Sequence, residues 1–152
     1  IEKWLEGDST FMLTYGDGLS DVAIDQLIRY HRSQGTQATL TAVHPLPRWG
    51  ALSIERHRVV GYQEKPADPS SWVNGGYFVL RQEVFDHIPE NGDLVADGCA
   101  QLAKRGRLVA HQHRGFWKPT DTVKERAALD EAYARGDRPW AVWEQDSAAV
   151  NA

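Results

Sequence analysis

Two aspartates about a hundred positions apart carry the strongest chemical signal in this chain: Asp17 in Tyr15-Gly16-Asp17-Gly18, and Asp121 in Phe116-Trp117-Lys118-Pro119-Thr120-Asp121-Thr122. Each stands at a chain reversal, where a carboxylate can meet a cation or a cation-bound phosphate. Mg²⁺ suits such a pair, because it takes oxygen ligands and commonly uses one or two protein carboxylates alongside substrate phosphates. Each aspartate also has a plainer use. Asp-Gly is a frequent turn dipeptide, and an aspartate ahead of an apolar-periodic segment is a preferred helix N-cap.

Between them lie Gln63-Glu64-Lys65-Pro66 and Asn74-Gly75-Gly76. Glu64 can accept hydrogen bonds from sugar hydroxyls and Lys65 offers a point charge to a phosphate, or the pair is a solvated strand end that Pro66 terminates. Asn74 sets an amide beside two residues without side chains, which suits close backbone approach to a ligand and equally suits a β-bulge. His111 and His113 alternate on one strand face, but no third and fourth ligand at zinc-site spacing accompanies them. Trp4, Trp140 and Trp143 are expected to pack in the core or in subunit contacts.

The elements that must position these groups follow from periodicity. Thr10 to Thr14 is a short apolar run ended by glycines, the pattern of a buried strand. Ser20 is expected to cap a helix whose face carries Val22, Ile24, Leu27, Ile28 and Tyr30 until Gly35 stops it. Ala38 to Val43 completes a strand-helix-strand unit of the kind that builds parallel sheets. Ala51 to Glu55 and Val59 to Gln63 read as a hairpin, and Trp72 to Leu80 as a strand interrupted by glycines. Glu83 to Ile88 and Cys99 to Lys104 read as short helices around a polar, turn-rich stretch from Pro89 to Gly98. Leu108 to His113 reads as a strand. Asp121 is expected to cap a last helix with Val123, Ala127, Leu129, Ala132 and Tyr133 on its apolar face. Ile1 to Asp8 reads as the end of a helix and its exit, as if the chain began within a domain.

The 152 residues suffice for one domain with a hydrophobic core. A net charge of −4 offers no basic excess for a nucleic-acid backbone, so no nucleic-acid partner is expected. No run approaches a membrane span and no leader opens the chain, so no membrane partner is expected either. The single cysteine, Cys99, has no partner for an internal disulfide; it suits a reducing cytoplasmic setting and reads as a small buried hydrophobe.

In their order these segments resemble the sugar-1-phosphate nucleotidyltransferases. The matching stretches are Thr14 to Gly18 with Ser20-Asp21-Val22, Arg48-Trp49-Gly50-Ala51-Leu52, Gln63 to Pro66, Trp72 to Phe78, and Gly115 to Thr122, and the resemblance to which they belong extends over nearly the whole chain. The Tyr-Gly-Asp-Gly, Asn-Gly-Gly and Phe-Trp-x-Pro-x-Asp-Thr forms point most narrowly to the glucose-1-phosphate cytidylyltransferase branch. The resemblance implies an α/β fold, a Rossmann-like mixed sheet, and the reaction of CTP with α-D-glucose 1-phosphate to give CDP-glucose and pyrophosphate. It implies Asp17 and Asp121 as ligands of a Mg²⁺ cofactor, Glu64 on sugar hydroxyls, and Lys65 on the sugar phosphate. Asn74 and the backbones of Gly50 and Gly75 would frame the hexose. A homo-oligomer is also implied.

Three departures accompany the match. Thr120 stands where the family pattern has methionine, and Asp93 to Ala100 is divergent. The glycine-rich loop with Thr-Arg-Leu and the Lys-Pro motif that bind the triphosphate are not among these residues. The expectation is therefore a single partial domain over residues 1–152, the carboxyl-terminal portion, with its sheet incomplete on the amino-terminal side. Such a portion alone would bind CTP weakly and turn over poorly. Two other readings stay open: a relative that uses UTP or GTP, and a non-catalytic remnant that keeps the sugar pocket as a binding module.

Overall fold

The computed structural model describes residues 2–5, 7–45, 51–63 and 71–144. In chain order these form β1 (Thr10–Thr14), β2 (Gly18–Ser20), α1 (Ile24–Gln34), β3 (Ala38–Val43), β4 (Ala51–Glu55), β5 (Arg58–Gln63), β6 (Val73–Arg81), α2 (Ala100–Lys104), β7 (Leu108–Gln112), β8 (Trp117–Pro119) and α3 (Val123–Ala134). The main sheet has the order β1-β6-β3-β7. β6 runs antiparallel to both β1 and β3, and β7 runs parallel to β3. The expected strand-helix-strand unit is present and its two strands point the same way, but β6 inserts between them. The sheet is mixed, as expected.

Strand alternation divides the sheet into two faces. Ala38, Phe78 and Leu80 form one face with Phe11, Leu13 and Leu40, and they pack on Val84, Cys99 and Leu102. Phe11 stacks on Phe85 with ring centroids 5.6 Å apart. Full burial of a side chain such as Phe78 or Leu102 contributes about 1.5–3 kcal/mol, so this cluster anchors the segment 82–104 across the sheet. That segment holds a 3₁₀ stretch, Gln82–His87, then a π-helical turn, Leu94–Cys99, running directly into α2. The π turn occupies the second half of the stretch Pro89 to Gly98 expected to be turn-rich and takes in Cys99, the expected start of the next helix. It starts where the Asp93 carboxylate accepts the N–H groups of Val95 and Ala96, both at 2.7 Å. Cys99 is buried as expected, and burial raises its thiol pKa.

The opposite sheet face carries Thr39 and Thr41 and is covered by α1, where His31 Nδ1 lies 2.9 Å from Thr39 Oγ1. The helix starts later than expected. Its N-cap is Ala23, whereas Ser20 ends β2 and uses its Oγ to accept Val22 N–H and donate to Phe116 O. Leu27 and His31 are its buried residues, while Ile24 is exposed. Gly35 closes it in the left-handed region, as expected.

α3 also begins one residue later than expected. Thr122, not Asp121, is the N-cap, and it forms a reciprocal capping box with Glu125. Its expected apolar face is largely outside: Val123 and Tyr133 are exposed and Leu129 is buried. Trp4 and Trp143 are likewise exposed rather than packed in the core, whereas Trp140 meets Phe116 at 5.5 Å. The hairpin β4–β5 forms as expected, with a bulge between Ser53 and Ile54.

Candidate functional site

The site is built where the far end of β1 meets a small ribbon of β2 and β8. Gly18 pairs with Pro119, Leu19 with Lys118 and Ser20 with Trp117 in antiparallel register. One step beyond Gly18, the Asp17 carbonyl accepts the Thr120 N–H at 2.7 Å and the Thr120 hydroxyl at 2.8 Å. The ribbon therefore brings Asp17 directly opposite Thr120 and one residue from Asp121. Both aspartates are exposed at this end. Sequence separation of about a hundred positions is closed by three residue pairs.

β6 holds this ribbon. A bulge displaces its register against β3, so that Leu40 pairs with Phe78 but Ala42 pairs with Asn74. Two of the β6 carbonyls tie down neighbouring segments: Gly75 O accepts the Trp117 indole N–H at 2.9 Å, and Gly76 O accepts Tyr15 N–H at 2.9 Å in continuation of the β1–β6 register. Tyr77 adds a hydroxyl donated to Gly18 O at 3.0 Å. Gly76 has φ +81°, and a Cβ there would lie 2.8 Å from Tyr15 Cδ2. Only glycine fits both the backbone and the ring. Gly75 is buried, and a Cβ there would approach Val43 Cγ1 at 2.9 Å.

Of the two uses foreseen for Asn74, the β-bulge is the one observed. The Asn74 side chain is set within it: Oδ1 accepts Gly76 N–H at 2.9 Å and Nδ2 donates to Tyr15 Oη at 3.0 Å. The phenol, accepting from Asn74, retains its own proton for another acceptor. Partial burial raises the Tyr15 pKa, the Asn74 bond opposes that shift, and the charge of Asp17 adds to it. Tyr15 thus stays a neutral donor at physiological pH.

Two open clefts flank the ribbon. One, of about 590 Å³, is lined by Thr14, Tyr15, Gly16 and Asp17 on one side and by Asp93 and Leu94 on the other. The second, of about 330 Å³, is lined by His44, His113, Arg114, Phe116 and Lys118. A ligand with anionic and polar parts meets carboxylates on one side and cationic or ring nitrogen groups on the other. His111 packs edge-on against Tyr30, and His113 Nε2 lies 2.8 Å from Asp21 Oδ1, so each histidine has a local role.

Of the residues singled out from the sequence, Asp17, Asn74, Gly75 and Asp121 are gathered around this ribbon. Gly50, Glu64 and Lys65 lie outside the described residues. Among the described residues no group of three or more His, Cys, Asp or Glu side chains could hold a metal. Asp17 and Asp121 place two exposed residues with carboxylates at one ribbon end, and Mg²⁺ is an ion that commonly takes one or two protein carboxylates and fills its other positions with water and substrate oxygens. Sequence reasoning assigned no role to Tyr15, Asp21 or the Trp117 indole, and weighed His113 only as a zinc ligand. Their signal was present in the same motifs, but their partners lie on other strands.

The nucleotidyl transferase family model matches residues 1–134. The chain is 38% identical over 145 residues to the glucose-1-phosphate cytidylyltransferase of Salmonella typhi, covering 95% of this chain and 56% of that protein. It is 31% identical over 136 residues to the mannose-1-phosphate guanylyltransferase of Mycobacterium tuberculosis, covering 80% of this chain and 37% of that protein. Among solved structures, HddC from Yersinia pseudotuberculosis superposes with a TM-score of 0.61 at 15% identity, covering 87% of this chain and 60% of that one, a likeness of fold. The chain thus spans about half the length of the cytidylyltransferase it matches. Among the described residues no helix is long and apolar enough to cross a membrane.

Proposed function

The chain belongs to the nucleotidyl transferase family, and on that premise we propose that it forms the acceptor and metal side of a site that makes CDP-glucose and pyrophosphate from CTP and α-D-glucose 1-phosphate. The observation that carries this reading is the pairing of Asp17 with Thr120, which sets two carboxylates at one end of one ribbon beside two clefts. The likeness to a cytidylyltransferase at 38% identity supports the choice of CTP and glucose.

In the reaction, an oxygen of the sugar phosphate attacks the α-phosphorus of CTP. The bond from that phosphorus to the bridging oxygen breaks, and pyrophosphate leaves with the electron pair. A phosphate oxygen is already ionised near neutral pH, so no general base is needed. Positioning and charge neutralisation then account for most of the rate.

Asp17 and Asp121 would hold Mg²⁺, which when bound supplies positive charge to the phosphate oxygens. The Asn74–Tyr15 and Gly76–Tyr15 hydrogen bonds fix the turn that presents Asp17, and the Tyr15 phenol offers a proton to an oxygen in the adjoining cleft. Lys118 and Arg114 line the second cleft and bring positive charge toward an anionic substrate. Glu64 and Lys65 are assigned to sugar hydroxyls and phosphate, and Gly50, Asn74 and Gly75 to the hexose frame, by the family pattern.

The test is pyrophosphate release by the purified protein that carries this chain, with glucose 1-phosphate and each of CTP, UTP, GTP and dTTP. The proposal predicts a kcat/KM for CTP at least about tenfold above the others, a gap that corresponds to about 1.4 kcal/mol of differential transition-state binding. A higher value with another triphosphate would contradict the base assignment. Release with mannose 1-phosphate matching that with glucose 1-phosphate would contradict the sugar assignment.

A further inference from the structure

The β2–β8 ribbon is three residue pairs long, and a two-stranded ribbon of that size is marginal by itself. Its two ends are fastened by different means. At the end away from the aspartates, Ser20 Oγ donates to Phe116 O at 2.8 Å and Asp21 N–H donates to the same carbonyl at 3.2 Å. The Asp21 carboxylate there faces His113, and it crowds Gly115 so closely that a Cβ would fall 2.8 Å from Asp21 Oδ2. That end is locked by packing.

At the aspartate end, where Asp17 and Asp121 are exposed, the Tyr77 hydroxyl donates to Gly18 O at 3.0 Å and ties β2 to β6. β2 and β8 are fastened to each other there by Thr120, whose N–H and hydroxyl both donate to the Asp17 carbonyl. A carbonyl oxygen accepts two hydrogen bonds, so Thr120 takes both. Two donors from one residue fix the plane of the peptide that follows Asp17. That plane sets the direction of the Asp17 Cα–Cβ bond relative to residue 121. A β-branched side chain has few χ1 choices, so the hydroxyl is held toward its acceptor at small entropic cost.

We propose that Thr120 is a positioning residue for the Asp17–Asp121 pair, acting through its hydroxyl on the Asp17 carbonyl. The proposal rests on the metal-and-phosphate reading above. Thr120 itself touches neither metal nor substrate. Its hydroxyl holds the Asp17 backbone one residue from Asp121, so that the two side chains start from a fixed place at one ribbon end.

The experiment uses the whole protein that carries this chain. Thr120→Val removes the hydroxyl and keeps the branched shape; Thr120→Ser keeps the hydroxyl. Mn²⁺ binding without substrate, followed by the electron paramagnetic resonance of free Mn²⁺, gives a readout independent of turnover. The Mg²⁺ dependence of pyrophosphate release gives the second. From the usual net worth of one hydrogen bond, Thr120→Val should weaken Mn²⁺ binding about three- to tenfold and raise the half-saturating Mg²⁺ by a similar factor. Thr120→Ser should stay within about twofold of wild type on both.

Wild-type metal binding in Thr120→Val, or equal losses in the valine and serine variants, would overturn the proposal. Asp17→Asn run alongside separates the two levels. Retained Mn²⁺ binding in that variant would overturn the metal role of Asp17 and the Thr120 role with it. Loss of binding in Asp17→Asn together with wild-type behaviour in Thr120→Val would overturn the Thr120 role alone.

Discussion

Replacing Gly76 with alanine tests how the sheet hands its geometry to the site. Two costs are separable. Gly76 has φ +81°, and placing an L-residue in the left-handed region costs about 1–2 kcal/mol. The added Cβ would also lie 2.8, 3.0 and 3.2 Å from Tyr15 Cδ2, Cγ and Cβ, well inside the usual carbon–carbon separation of about 3.5–4.0 Å. The ring cannot swing away freely, because Tyr15 N–H is bonded to Gly76 O and Tyr15 Oη to Asn74. Overpacking of this kind costs about 1–3 kcal/mol. The sum is about 2–5 kcal/mol. Gly136→Ala is the control: its φ is +79° and nothing lies within 4 Å of its added Cβ. It should show the backbone cost alone, about 1–2 kcal/mol. Urea unfolding of both variants near neutral pH, followed by circular dichroism, gives the comparison. If Gly76→Ala is no more destabilising than Gly136→Ala, the steric reasoning is refuted, and with it the claim that Tyr15 is wedged against the bulge.

Two other perturbations follow from the same geometry. Trp117→Phe removes the indole N–H that Gly75 O accepts at 2.9 Å; it should cost about 1–3 kcal/mol in unfolding experiments, and it should weaken Mn²⁺ binding because the ribbon loses a tie to β6. His31 and His111 carry the pH dependence. Burial depresses the pKa of both, with Arg81 and Arg32 adding to the effect on His31 and His113 to that on His111. Among the described residues His31 Nε2, Thr41 Oγ1 and His111 Nδ1 have no hydrogen-bond partner from the protein. Below the unfolded-state value of about 6.5 the unfolded chain binds more protons than the folded one. Their contribution to stability is therefore complete above that pH and lost as pH falls below it. Denaturant midpoints measured from pH 7.5 downward to about pH 5 should fall, and the fall should be shallower in His31→Gln. An unchanged slope in that variant would contradict the assignment.

How much of this was legible in the sequence varies with the range of the interaction. β1, β3 and β6 were readable because apolar runs bounded by glycines carry a local period, and the hairpin was readable from its short polar turn. The insertion of β6 between β1 and β3 was not, since strand order depends on which faces pack and not on any local pattern. The β2–β8 ribbon was invisible for a related reason. Three residues per strand hold no period, and its partners are about a hundred positions apart. His31 was missed as a buried residue because a polar side chain breaks the apolar face of α1, and only Thr39 on the neighbouring strand explains it. Asp121 was read as a helix cap because an aspartate before an apolar run fits that rule. The capping box of Thr122 with Glu125 takes that role and shifts the helix start past Asp121. The two aspartate motifs were readable as residue types, while their meeting depended on the Asp17 carbonyl and Thr120.

The central claim is that Asp17 and Asp121 act together on a cation and the phosphates it binds. The most direct test is pyrophosphate release from CTP and glucose 1-phosphate by Asp17→Asn and by Asp121→Asn in the whole protein, with unfolding curves recorded for each. Both side chains are exposed, so stability should move by no more than about 0.5 kcal/mol. Turnover should fall at least about a hundredfold in each variant, the scale seen when one electrostatic stabiliser is removed from an active site. Turnover within a few-fold of wild type in either folded variant would contradict the account.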